Sequence, residues 1–294
     1  MRRTLVILSL FALAAPLFAG RHGGRRGLSM SIDDDGVVND CSQMRVTIND
    51  RPAVRAEEIV PVGSPRSLAV HAPENGGIYV MGSQSGGYEV KACKAAAFDS
   101  ALNDIRVRIS GNEVTADGPD DGTWVVYFIV QAPRGATLNL RSQNGPIALR
   151  SVNGTVTANA VNGPISLKDS SGIMNIETTN GPISLDGGSG STKLNAENGP
   201  ITVKLRGTSW DGSLDARTQN GPVALRMPAS FRSGVVVESE GHGPVSCRSE
   251  ACRQARRSWD DEENRKIEFG SGATVVRLTT VNGPVSVRDN DFNE

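Results

Sequence analysis

Apolar and polar residues alternate along most of the chain from Ser67 onward, which is the pattern of β-strands with one buried and one exposed face. The alternation is most regular after a series of glycines in the second half of the chain. The second and fourth residues after most of these glycines are apolar, as in Ile147 and Leu149 after Gly145; Thr192 after Gly190 is a partial match, and the unit at Gly234 fails because Glu238 is its fourth residue. The pattern predicts an all-β protein built from many short strands.

The regular glycines belong to an internal repeat that reads Asn-Gly-Pro-Ile or Asn-Gly-Pro-Val. The first four copies are 18 residues apart, and Gly154, Gly172 and Gly190 stand halfway between them, so the underlying unit is nine residues. Such a unit accommodates one short strand and one turn. A later copy has histidine in place of asparagine, at His242. The Asn-Gly pairs, which we expect to form structural turns, are Asn144-Gly145, Asn162-Gly163, Asn180-Gly181, Asn198-Gly199, Asn220-Gly221 and Asn282-Gly283.

Two geometries satisfy this repeat. Asn and Gly both tolerate left-handed backbone, so Asn-Gly supplies a corner, and the proline after it suits the first residue of a strand. Successive strands could pair as antiparallel hairpins, or each repeat could form one coil of a solenoid whose like strands stack in parallel. The Asn-Gly-Pro sequence marks alternate turns only, which favours the solenoid, because stacked coils place the asparagines in a ladder. We therefore predict a β-solenoid, similar to a parallel β-helix, with 18-residue coils of two short strands.

The remaining segments complete the domain organisation. Residues 20–66 are rich in Gly, Arg and Asp with little periodicity, and we expect a flexible leader there. Residues 67–130 carry irregular strand patterns and are expected to form an N-terminal β region that caps the first coil. The solenoid domain follows at residues 131–289, and residues 290–294 form a polar tail.

A charged insertion at residues 247–273 interrupts the repeat. The spacing of Arg253 from Arg257, and of Asp261 from Arg265, would permit one exposed helix. A protruding loop is a natural place for a binding contact, and the alternative is a solvated insertion without a role in binding.

The first 19 residues have the composition of a secretory signal: Arg2 and Arg3 precede an apolar run from Leu5 to Leu17, and cleavage is expected near Ala19. The run is too short to span a membrane, and no later segment is apolar enough. We therefore expect an exported protein, in the periplasm, at the cell surface or outside the cell, without a transmembrane segment after signal removal. Cleavage changes the net charge from −1 to −3, with 29 basic against 32 acidic residues, which argues against nucleic-acid binding.

Export permits disulfides among the four cysteines, for which three pairings exist. Proximity along the chain favours Cys41–Cys93 and Cys247–Cys252. The rival interpretation of the second pair is a metal half-site, but no further Cys or His lies at a suitable spacing. We expect no metal and no cofactor.

The Asn-Gly-Pro-Ile units, the strand exit Val130-Gln131-Ala132-Pro133-Arg134-Gly135 and the signal peptide together resemble the bacterial "putative adhesin" family, exported β-repeat proteins of unknown function. The resemblance covers roughly residues 67–289 and rests on glycine spacing, which is a structural signature. It implies a β-solenoid-like fold and an envelope or surface location, and it carries no catalytic residue to transfer. The insertion at residues 247–273 departs from the family pattern.

If the second and fourth residues of each unit point inward, the third and fifth point outward. After the Asn-Gly-Pro and His-Gly-Pro copies, the third residue is always small and the fifth is a cation in six of seven strands, Asp186 being the exception. Stacked coils would align these cations in a row about 29 Å long. The row could dock an anionic polysaccharide or an envelope surface, or it could merely keep the sheet soluble. The basic row comprises Arg150, Lys168, Lys204, Arg226, Arg248 and Arg288.

The expected function is that of a non-enzymatic binding or adhesion module. The alternative is a structural or scaffold protein of the cell envelope that acts through protein partners. A polysaccharide-active enzyme would need paired carboxylates. Its candidates, Asp33 to Asp35, Asp120-Asp121 and Asp260 to Glu263, lie in turns or polar insertions rather than at recurring positions on one sheet.

Overall fold

The repeat folds into two long, mostly parallel β-sheets that pack face to face. A computed structural model describes residues 28–32, 40–120, 122–241, 243–259 and 265–290. The expected signal peptide at residues 1–19 and the tail from residue 291 lie outside the described residues. The strands that follow the Asn-Gly-Pro turns form one sheet, which we call the NGP sheet. The strands between them form the other, the intervening sheet.

The NGP sheet has eleven strands. In spatial order they are β4 (Val54–Val60), β7 (Glu89–Ala96), β10 (Trp124–Ala132), β6 (Gly77–Gly82), β12 (Ile147–Arg150), β14 (Ile165–Lys168), β16 (Ile183–Asp186), β18 (Ile201–Lys204), β20 (Val223–Met227), β26 (Val285–Asp289) and β22 (Val245–Cys247).

The intervening sheet has twelve strands. In the same order they are β8 (Arg106–Ser110), β9 (Glu113–Asp117), β5 (Leu68–His71), β11 (Ala136–Ser142), β13 (Asn153–Ala160), β15 (Ser171–Asn180), β17 (Ser189–Asn198), β19 (Gly212–Asn220), β25 (Ser271–Asn282), β21 (Ser233–Ser239), β24 (Arg265–Phe269) and β23 (Arg256–Trp259). A small sheet contains β1 (Leu28–Ile32), β2 (Met44–Ile48) and β3 (Arg51–Pro52). Within the described ranges, the helices are α1 (Asp99–Asp104) and two 3-10 turns, Cys41–Gln43 and Glu250–Gln254.

Like strands of successive coils pair in parallel, which confirms the β-solenoid and excludes the hairpin alternative. Ile147 pairs with Ile165, and Ile165 with Ile183, so the register advances by one 18-residue repeat per strand. The second and fourth residues of the units point inward, as their alternation requires, and both sheets contribute them to one continuous core. Burial of these aliphatic side chains between the sheets drives the stack together, because a single coil has too little core to fold alone.

The six asparagines of the Asn-Gly turns form a hydrogen-bonded ladder along one edge of the stack. Each side-chain Nδ2 donates to the Oδ1 of the asparagine in the preceding coil, at 2.9–3.1 Å in all five bonds. The chain of bonds runs through Asn144, Asn162, Asn180, Asn198, Asn220 and Asn282. Each side chain thereby helps to fix the register between neighbouring coils.

The glycines of these turns are required for a different reason from the expected one. None of the six Asn-Gly pairs has a positive φ, so left-handed backbone is not what the sequence Asn-Gly provides here. Instead, the turns stack so closely that a Cβ on Gly181 would lie 2.3 Å from the backbone oxygen of Gly163. In the same way, a Cβ on Gly163 would lie 2.2 Å from the backbone oxygen of Gly145. Close approach of stacked backbones therefore selects glycine.

The last coil in the sequence is not the last coil in space. Strands β25 and β26 lie between the coil of β19 and β20 and the coil of β21 and β22, parallel to both. The asparagine ladder explains the order, because Asn282 donates to Asn220 and continues the ladder directly. The coil of β21 and β22, whose sequence carries His242 in place of the asparagine, therefore lies beyond the coil of β25 and β26.

In its described residues, the charged insertion forms a short 3-10 turn and two strands rather than the one exposed helix that its charge spacing permits. Strands β23 and β24 make an antiparallel pair, and β24 pairs antiparallel with β21. Ile267 and Phe269 are buried in the main core, and their alternation with charged residues is the strand signal. The Cys247–Cys252 disulfide closes the 3-10 turn beside this pair. Strands β24 and β23 are thus the last two strands at this end of the intervening sheet.

Residues 40–60, which the sequence pattern places in a flexible leader, are built into the fold. Strand β4 pairs antiparallel with β7, and the Cys41–Cys93 disulfide ties the preceding turn to β7. Met44, Val46 and Ile48 of β2 are buried against the outer face of the NGP sheet. The stack also begins earlier than residue 131, because β5 and β6 pair in parallel with β11 and β12 and form a first coil.

Candidate functional site

The structure places the whole basic row at the ends of neighbouring strands of the NGP sheet. Arg150 pairs in register with Lys168, and Lys204 with Arg226. Arg226 in turn pairs with Arg288 of the intercalated coil. Arg248 follows at the next strand, where its backbone N–H donates to Val287 O at 2.9 Å. All six side chains are exposed or half-exposed. Asp186 lies between Lys168 and Lys204. The spatial order of the cations is Arg150, Lys168, Lys204, Arg226, Arg288 and Arg248.

The single acidic position in the row, Asp186, is paired with an arginine that the repeat pattern does not single out and that also contacts Asp169. Arg206 Nε donates to Asp186 Oδ1 at 2.9 Å, and Arg206 Nη1 donates to Asp169 Oδ1 at 2.8 Å. The hydrogen bond to Asp186 is the main cause that raises the pKa of Arg206 above its usual value. Arg206 lies two residues after Lys204, at a corner where the unit is extended, so the nine-residue alignment leaves it out.

The exposed face of the NGP sheet carries three parallel stripes. Prolines open each strand, small residues lie at its centre and the basic row lies at its end, all on the outward face. The small residues form the floor of a shallow trough between the prolines and the longer cationic side chains, which lie about 13 Å apart along the strands. The floor is Ser166, Ser184, Thr202, Ala224, Ser286 and Ser246, and the proline wall is Pro164, Pro182, Pro200, Pro222, Pro284 and Pro244.

The trough is closed at its N-terminal end by the small sheet. Ala148, which would be the next floor residue, is buried under β2 in a cluster with Tyr79 and Tyr127. Both tyrosine hydroxyls are buried without a hydrogen bond of normal geometry. Burial raises the pKa of both, and the nearby Arg150 guanidinium offsets part of the rise at Tyr79.

The unpaired hydroxyl of Tyr127 predicts a gain in stability when it is removed. We expect Tyr127→Phe to raise the free energy of unfolding by about 1 kcal/mol at pH 7, since a buried unsatisfied hydroxyl is costly. Because burial raises the pKa of Tyr127 in the folded state, wild-type stability should fall above about pH 10, where the unfolded tyrosine ionises, and the variant should lose less. Urea unfolding of the wild type and the variant at pH 7 and above about pH 10 measures both differences in the free energy of unfolding.

Tyr88→Phe is the matched control for that substitution. The Tyr88 hydroxyl accepts from Thr137 N at 3.0 Å and donates to Thr137 O at 3.2 Å, so its removal should destabilise the protein. Equal effects of the two substitutions at pH 7 would contradict the interpretation of Tyr127.

A second concave surface lies on the intervening sheet. It is a polar groove of about 410 Å³ lined by side chains of β13, β15, β17 and β19 and the residues that follow them. Asn195 Nδ2 donates to Glu177 Oε1 at 3.4 Å across neighbouring strands. Arg217, at one end, is held by two hydrogen bonds to Glu240. The Glu177 carboxylate and the Arg217 guanidinium of the groove are therefore already hydrogen-bonded within the protein.

The carboxylates considered for hydrolysis are not brought together. Asp120 lines a surface groove of about 430 Å³ with Glu74, Asp117 and Trp124, where Trp124 Nε1 donates to Pro119 O at 2.8 Å. Asp117 is paired with Arg108. Asp121, Asp33 to Asp35 and Asp260 to Glu263 lie outside the described residues. Within the described ranges, no cluster of three or more His, Cys, Asp or Glu side chains could hold a metal ion.

The two parallel sheets, the asparagine ladder and the exposed stripes define a β-solenoid repeat protein. The chain belongs to the Toastrack DUF4097 family, whose sequence profile matches residues 66–288. A search of curated proteins finds no match. Among the described residues, no helix combines the length and apolar character that crossing a membrane requires.

Solved structures from three bacteria are similar to this chain at low identity. A putative cell adhesion protein from Clostridium sporogenes is 9% identical with a TM-score of 0.29, over 81% of this chain and 100% of its own. A putative adhesin from Bacteroides fragilis is 8% identical with a TM-score of 0.35, over 81% and 97%. A putative lipid binding protein from Parabacteroides distasonis is 8% identical with a TM-score of 0.28, over 81% and 97%.

Proposed function

We propose that the protein is an exported, non-enzymatic binding module that docks an anionic polymer or envelope surface through the basic row. The observation that carries the proposal is the alignment of six cations on neighbouring strands, with the one intervening carboxylate paired with Arg206. Cations stacked about 4.8 Å apart repel one another, and a bound polyanion relieves that repulsion. The protein as a whole carries a net charge of −1, so the row is a local concentration of positive charge.

Two disulfides support the exported location. Cys41–Cys93 and Cys247–Cys252 join all four cysteines, and disulfides persist in oxidising compartments. The expected signal peptide at residues 1–19 leads to the same location.

Neutralising part of the row tests the proposal. We expect Arg150→Gln, Lys168→Gln, Lys204→Gln and Arg226→Gln together to weaken binding to polygalacturonate or anionic vesicles by about 1,000-fold at low salt, from roughly 1 kcal/mol per cation. Wild-type binding should itself fall at high salt, because exposed charges are screened. Biolayer interferometry on the mature protein measures both effects.

The control removes the same charge from elsewhere on the surface. Arg134, Arg141, Lys193 and Arg277 are exposed and lie on the intervening sheet or the turn that leads into it. Their joint replacement by glutamine should change binding less than threefold. Equal losses of affinity in the two quadruple variants would mean that net charge alone explains the weakened binding, and would refute docking at the row.

A scaffold that acts through protein partners is the second candidate, and one observation favours it. Two large apolar side chains are exposed near the N-terminal end of the stack: Ile59 on the edge strand β4 is 78% exposed, and Phe98 before α1 is 65% exposed. Ile59 pairs with Lys91, whereas Phe98 follows Ala96, the partner of Val54, so the two side chains lie towards opposite ends of β4 and are two separate candidate contacts. Absence of binding to every anionic polymer and vesicle, with wild-type folding intact, would favour this candidate.

A further inference from the structure

We propose that the ligand of the NGP sheet is a linear acidic polysaccharide that lies lengthwise in the trough, across the strands, and not an anionic bilayer. This inference rests on the proposed function and names the class of its ligand. It is carried by the shape of the face, by the chemistry of its three stripes and by the closure of one end.

The shape of the face suits a single polymer chain. The floor residues of the trough are serine, threonine or alanine at every one of six neighbouring strands, from Ser166 to Ser246. At about 4.8 Å per strand, the floor is about 24 Å long. A flat bilayer surface would meet the tips of the arginine and lysine side chains, whereas an extended chain one sugar wide can reach the floor between the walls.

The chemistry of the stripes matches that of an acidic sugar chain. Hydroxyls such as those of Ser184 and Thr202 both donate and accept hydrogen bonds, as sugar hydroxyls do. The exposed proline rings present apolar faces to the C–H groups of the sugar rings. The cations on the opposite wall meet the carboxylates. One charge per sugar along the polymer would meet one cation per strand, which is the spacing that the four consecutive cations Lys204, Arg226, Arg288 and Arg248 provide.

The small sheet fixes the direction in which the polymer extends. Strand β2 covers Ala148, so a chain that lies on the floor ends at Ser166 and leaves the protein past β22. Affinity for oligomers of increasing length should therefore rise until the oligomer spans about 24 Å and then level off. A bilayer has no such length dependence.

Raising the floor without changing a charge separates the two ligand classes. We expect Ser184→Ile with Thr202→Ile to weaken polygalacturonate binding about 30-fold, because the aliphatic side chains fill the trough and remove two hydroxyls. Binding to phosphatidylglycerol-containing vesicles, which requires only the cations, should change less than threefold. Isoleucine suits exposed strand positions, so the fold should be kept, and circular dichroism and thermal unfolding check this.

The matched control places the same side chains on the other sheet. Asn175→Ile with Ser191→Ile alters exposed residues of β15 and β17 and should leave polygalacturonate binding unchanged. Fully methyl-esterified polygalacturonan, which lacks the charge, should bind the wild type at least 30-fold more weakly than the acid form.

The outcomes distinguish this inference from the proposed function. If the floor variant binds polygalacturonate as the wild type does while the four-cation variant loses binding, the trough is not the site and docking at the row survives. If both variants bind as the wild type does, both proposals fail. If the wild type binds vesicles but no acidic polysaccharide, the row is a membrane-docking surface and the polysaccharide inference is overturned.

Discussion

Gly181→Ala is expected to destabilise the stack by about 4 kcal/mol or more, which is exceptional for the addition of one methyl group. The new Cβ would lie 2.3 Å from the backbone oxygen of Gly163 and 2.7 Å from its carbonyl carbon. Neither atom can move without breaking the turn above it, since the backbones of successive turns are packed on one another and their asparagines are hydrogen-bonded. The midpoint of chemical unfolding measures the loss.

Gly86→Ala provides the comparison for Gly181→Ala. Gly86 has no positive φ, and a Cβ there meets nothing within 4 Å. Alanine should therefore be neutral or stabilise the protein by up to about 1 kcal/mol, because it restricts the unfolded chain. A Gly181→Ala variant as stable as Gly86→Ala would mean that the turns are not packed as the structure places them.

Leu278→Ala is expected to cost about 2–5 kcal/mol and to loosen a defined part of the molecule. Leu278 is fully buried in β25, where it pairs with Ala216 of β19 on one side and Val237 of β21 on the other. Because β25 is the only link in the intervening sheet between β19 and β21 in the described residues, its loosening should release everything beyond it. Hydrogen exchange should show residues 233–239 and 265–269 losing protection together with β25.

The control for Leu278→Ala lies in the middle of the stack. Leu167 of β14 is buried to the same degree, and its replacement by alanine removes the same atoms. The exposed amides should then cluster around residues 147–185, and the C-terminal strands should keep their protection, because repeat proteins respond through nearest neighbours. Uniform loss of protection in both variants would show that the stack unfolds as a single cooperative unit.

The solenoid could be predicted because its repeat is short and strict. The 18-residue step, the period-two alternation and the placement of Asn-Gly-Pro at alternate turns together specify parallel coils and an inward face. They also locate the basic row, since the fifth residue of each unit is then outward on one sheet. These inferences hold because period and phase alone decide which way a strand residue points.

The order of the last coils could not be predicted from the same pattern. The units that begin at Gly243 and Gly283 both carry the proline and the apolar pair, so either could follow the unit at Gly221. What separates them is one side chain: Asn282 continues the ladder from Asn220, and position 242 is histidine. The failed alternation around Glu238 has a related cause, because β21 slips against β25 near Gly234 and its valines point inward out of phase with the other units.

The N-terminal strands and the role of Arg206 could not be predicted from the sequence for a different reason. In β4, exposed Arg55, Glu57 and Ile59 alternate with partly buried residues of mixed character, so hydropathy gives no contrast. Arg206 stands at a corner, where the chain direction changes and the period of the strand no longer applies. Its two carboxylate partners are 37 and 20 residues earlier in the sequence, which only the three-dimensional stack brings together.

The intercalated coil has a consequence for the time at which the molecule is completed during synthesis. A chain made from its N-terminus can add the coils from Gly145 to Gly221 one after another as they emerge, each upon a neighbour made shortly before. Strands β21 and β22 emerge next and must wait for residues 271–289, which are synthesised after them. A chain that stops before residue 271 therefore leaves Val235 and Val237 without the strand that joins them to the stack, and such a truncated product should be recognised by proteases of the compartment in which it folds.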